Sequence, residues 1–70
     1  MLPIGLFKEL TEYGEKVHNK TATEADFINI QRFISHIQEC YDEDIIRDRE
    51  RQALNQFAFL VRDEMRRALR

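Results

Sequence analysis

The stretch His18–Phe27, HNKTATEADF, decides how the first two thirds of the chain is read. Asn19, Lys20 and Thr21 are a polar cluster without apolar period, which reads as a turn. Two overlapping caps come next. Thr21-x-x-Glu24 is a capping box, in which the threonine oxygen accepts the third helical N–H and the glutamate reaches back to the cap. Thr23-x-x-Asp26 is the second choice. With either cap a helix starts here, and Glu24 and Asp26 suit the positive end of its dipole.

Upstream of the turn, Leu6, Phe7, Leu10, Tyr13, Gly14 and Val17 recur at three and four residues, which is one face of a helix over about residues 4–19. Pro3 fits its first turn, where a missing N–H costs nothing. Gly14 on that face leaves room for close approach of another helix. Downstream, Phe27, Ile30, Phe33, Ile34, Ile37 and Tyr41 form the buried face of a second helix over about residues 22–41. Ile28 falls outside that face, roughly 160° from Ile30. Asp42-Glu43-Asp44 breaks the pattern, and Asp42 or Asp44 serves as N-cap of a third helix over about residues 45–68. Its broad face holds Ile46, Ala53, Leu54, Phe57, Leu60, Val61, Met65 and Ala68. The mixed-sign block Arg47–Arg51 reads as a solvated helical stretch. The fold class expected is all-α: residues 1–70 as one domain, a helical hairpin plus a longer C-terminal helix.

Composition agrees. The chain has 70 residues, two glycines, one proline and 34% charged residues, as in small helical proteins. A chain this short buries only about 60% of its unfolded surface, so its core is small. Cys40 is the sole cysteine, so no intramolecular disulfide forms. With no basic-then-apolar leader and no apolar run near the ~20 residues of a membrane span, a cytoplasmic protein is expected. The apolar opening MLPIGLF is succeeded by Glu9, Glu12 and Glu15, where a membrane-surface helix would prefer lysine and arginine. The net charge of −2 divides unevenly: residues 1–43 carry eight acidic and four basic side chains, residues 44–70 five acidic and seven basic, all arginine.

Within the third helix, Phe57 points into the main face, and Phe59 is rotated from it by about 200°. Ile45, Gln52, Gln56, Arg62, Arg66 and Arg70 share the far side with Phe59. Either the third helix is sandwiched by the other two and buries both faces, or it packs inward through Phe57 and outward through Phe59 against a second copy. The second arrangement is preferred, because aromatic residues and arginine are typical of interfaces. A homodimer is therefore expected, with Ile45, Gln52, Gln56, Phe59, Arg62, Arg66 and Arg70 as the partner interface.

Catalytic and metal chemistry find little footing. His36 and Cys40 share one side of the second helix, but two ligands are not a site, and His18 lies at the far end of the first helix. A nucleophilic Cys40 with His36 as base would still need a cleft and an oxyanion site. Tyr41-Asp42-Glu43-Asp44 lacks the glycine turn and spaced ligands of a calcium loop. No enzyme, cofactor, metal or small-molecule substrate is expected. Nucleic-acid binding through Arg62, Arg66, Arg67 and Arg70 is the alternative, since arginine contacts phosphates and base edges. Against it, Asp48, Glu50, Asp63 and Glu64 interrupt the basic run, and the inter-helix turn has no glycine for a helix-turn-helix. The expectation is a non-enzymatic protein–protein interaction module, a bacterial or phage regulatory or accessory protein that binds itself and another protein.

Overall fold

The computed structural model describes residues 4–69. Three helices account for most of them: α1, Ile4–His18; α2, Glu24–Asp42; and α3, Asp48–Ala68. The Arg70 assigned above to the partner interface, and Pro3, lie outside the described residues.

The chain uses one device twice to leave a helix. After α1, Lys20 takes φ 60°, the left-handed region. Its N–H donates to Val17 O at 3.2 Å, and the Thr21 N–H donates to Lys16 O at 2.9 Å. This crossed pair is the Schellman closure. It also commits Thr21, whose hydroxyl donates to the same Lys16 carbonyl at 3.4 Å. The first-choice box Thr21–Glu24 is therefore not formed. Thr23 caps α2 instead: the Asp26 N–H donates to Thr23 Oγ1 at 3.3 Å, and the Thr23 N–H donates to Asp26 Oδ2 at 2.9 Å. α2 accordingly starts at Glu24, two residues later than Ala22, which packs against the core.

The same closure ends α2. Asp44 has φ 60°, its N–H donates to Tyr41 O at 3.1 Å, and the Ile45 N–H donates to Cys40 O at 2.8 Å. Asp42 and Asp44 thus finish α2 and do not cap α3, which corrects the expected N-cap. Arg47 holds that position, and its N–H donates to Glu50 Oε1 at 2.9 Å. α3 begins at Asp48, so Ile45 and Ile46 belong to the connection; Ile46 is nonetheless buried beneath the helices.

α3 packs against both α1 and α2. The core comprises Leu10 of α1, Ile30, Phe33, Ile37 and Cys40 of α2, Ile46, and Leu54, Ala58, Val61 and Met65 of α3. Tyr13 meets Phe33 edge-on, with ring centroids 6.2 Å apart. The α3 contribution is narrower than expected. At about 100° per residue, positions 54, 58, 61 and 65 fall within about 60° of arc. Leu60 lies about 130° from the centre of that stripe, and Phe57 about 70° on the same side. Leu60 is accordingly 66% exposed and Phe57 46% exposed, while the small Ala58 is fully buried. Ala53, Ala68 and, on α1, Phe7 are exposed as well. The broad face expected of α3 is therefore too wide: α3 buries a stripe, and Phe57 and Leu60 lie on an open flank beside it. No helix among the described residues is long and apolar enough to cross a membrane.

Candidate interaction site

The flank of α3 toward α2 is built from alternating aromatic and cationic side chains. Phe59 is 40% exposed, and the guanidinium of Arg62, one turn later, lies 5.0 Å from its ring centre. Arg66, a further turn on, reaches across to α2 and lies 6.0 Å from the ring centre of Phe27. Such stacking holds a guanidinium flat against an apolar surface and keeps its edge for hydrogen bonding. Glu24, Phe27 and Ile28 of α2, Arg66 of α3 and Leu69 just after it line a depression of about 390 Å³ between the helices. The off-face Ile28 thus sits beside Arg66, and it is 52% exposed.

The other residues assigned to this interface are dispersed. Ile45 is exposed in the α2–α3 connection, about three helical turns below Phe59. Gln52 is engaged locally, donating from Nε2 to Asp48 Oδ2 at 2.8 Å. Gln56 is exposed, opposite the buried stripe of α3. The arginines are divided too. Arg62 Nη2 lies 3.4 Å from Asp63 Oδ1, and Arg67 pairs with Glu64 at 3.1 Å. Arg66 has no carboxylate within 4.0 Å among the described residues. Arg67 leaves the cluster altogether and lines a depression at the α1 side with Val17, Lys20 and Ala22.

Two polar groups are buried near this flank without a hydrogen-bond partner among the described residues: Asn55 Oδ1 and Arg62 Nε. Elsewhere, Asp26 is buried and satisfied. It accepts from Lys16 Nζ at 2.8 Å and from the Thr23 backbone and hydroxyl, tying the end of α1 to the start of α2. The Lys16 ammonium and the Thr23 N–H hold its carboxyl below the usual aspartate range. Tyr13 beside it is pushed up by burial and by the charges of Glu9 and Asp26.

Cys40 is in the core, with its Sγ 3.5 Å from His36 Nε2 at the surface. Burial, then Glu43 and Glu39, push the thiol up, so it stays protonated and is a poor nucleophile. Among the described residues no group of three or more His, Cys, Asp and Glu is placed to hold a metal ion.

The flank of α3 toward α1 carries a surface that the sequence did not disclose. A methyl group at Gly14 would lie 3.9 Å from the Phe57 ring, so Phe57 covers α1 at its glycine. Leu60 stands outside Phe57, and Ile4 and Phe7 extend the strip along α1. The signal was present in the spacing, since Phe7 and Phe57 both sit at the edge of their helical stripes. Reading each stripe as broad concealed it.

In comparisons with known proteins, no family model, no curated protein and no solved structure matches this chain.

Proposed function

We propose that the protein is a non-catalytic interaction module, homodimeric, whose α2–α3 flank binds a second protein. The observation that carries this reading is the pair of guanidinium–aromatic stacks, Arg62 on Phe59 and Arg66 on Phe27, on one partly exposed flank. Apolar area supplies the attraction, and Arg66 offers a guanidinium with no carboxylate within 4.0 Å among the described residues. The partner that fits is an amphipathic helix with acidic residues, laying apolar anchors beside Phe27, Ile28 and Phe59. Its carboxylates would neutralise Arg66. Aromatic residues and arginine are also the residue types that dominate binding energy at interfaces.

Nucleic-acid binding is the second reading, favoured only by the placement of Arg62 and Arg66 on one flank. The Arg67–Glu64 and Arg62–Asp63 pairs count against it, because each sets a carboxylate beside a cation that would have to meet phosphate. One experiment separates the two. Wild-type and Phe59→Asp proteins are used as bait for partner capture, and DNA and RNA oligonucleotides are titrated against each. The protein-binding reading expects Phe59→Asp to lose the captured partner, and Arg66→Ala to weaken it less. Capture unchanged by Phe59→Asp refutes it. Oligonucleotide affinity that falls in Arg66→Ala, with a shallower salt dependence, replaces it with nucleic-acid binding.

A further inference from the structure

We draw no further inference here: the strongest candidate, the exposed apolar strip of Ile4, Phe7, Phe57 and Leu60 on the α1–α3 face, carries nothing, because nothing in the structure shows what covers it.

Discussion

Replacing Gly14 by alanine should stabilise the protein, although the sequence alone casts that glycine as a point of close helix approach. Gly14 is in the middle of α1 and has no left-handed φ, so alanine meets no backbone strain. The added methyl would lie 3.9 Å from two Phe57 ring carbons and 4.0 Å from Val61 Cγ2, which is ordinary van der Waals contact. Alanine gains about 0.8–1.0 kcal/mol over glycine in a helix interior. Covering part of the half-exposed Phe57 ring adds a few tenths more, given about 0.8 kcal/mol for a fully buried CH₂. The sum, roughly 1 kcal/mol, corresponds to a rise of about 4–8 °C in Tm for a domain of this size. Thermal melts of wild type and Gly14→Ala, monitored by far-UV circular dichroism at one protein concentration, check it. A Tm that is unchanged or lower would mean that α1 and α3 pack closer than this contact, and the glycine would then be needed for their approach.

The remaining predictions probe the caps, the buried carboxylate and the two flanks. Lys20→Gly removes a side chain from a left-handed position and should raise stability by about 0.5–1 kcal/mol in urea titrations; a loss would refute the Schellman closure at Lys20. Arg47→Ser gives α3 an N-cap oxygen that arginine lacks, with an expected gain of about 0.5–1 kcal/mol in the same assay. Asp26→Asn should cost about 1–2 kcal/mol at neutral pH, because three donors lose a carboxylate. Its folded carboxyl is lowered, so its contribution is complete above the unfolded pKa of about 3.9 and vanishes as pH falls through the folded value. Wild-type stability should therefore drop more steeply on acidification than that of Asp26→Asn, and parallel acid limbs would refute the assignment. Phe57→Ala and Phe59→Ala should be additive in stability within about 0.5 kcal/mol, because the two rings sit on opposite flanks; larger coupling in a double-mutant cycle would refute that placement.

Helix number, type and order were legible because each signal was local. The three- and four-residue period of Leu6 to Val17 and of Phe27 to Tyr41 needs no knowledge of the partner helix. The choice between two overlapping caps was not local. Thr21 and Thr23 both head plausible boxes, and only the route of the chain out of α1, which spends Thr21 on Lys16, leaves Thr23 to start α2. The Asp42–Asp44 cluster misled in the same way. Acidic residues are good N-caps, yet aspartate also tolerates the left-handed position that closes α2, and the sequence does not say which end it serves. Breadth was the third difficulty. Counting every apolar residue within reach gave α3 a face that included Leu60, whereas the two helices packed on it leave room only for Leu54, Ala58, Val61 and Met65.

The phenylalanines two residues apart on α3 find their explanation in this geometry. A helix packed against two neighbours has a buried stripe and two flanks, each opening onto the groove shared with one neighbour. Phe57 and Phe59 lie about 200° apart around the helix, so they cannot serve the same groove. The residues one and two turns beyond each ring then set the character of its groove. Arg62 and Arg66 stand three and seven residues after Phe59 and stack on its side of the helix. Glu64 stands seven residues after Phe57 and pairs with Arg67, which cancels the charge there. One flank sets arginines against aromatic rings, with Glu24 in the depression of Arg66 and Asp63 beside Arg62; the other is aromatic, with the Glu64–Arg67 pair at its margin. A single helix thus presents two faces of different chemistry, with Ala58 and Val61 packed between them as the element that keeps the faces apart.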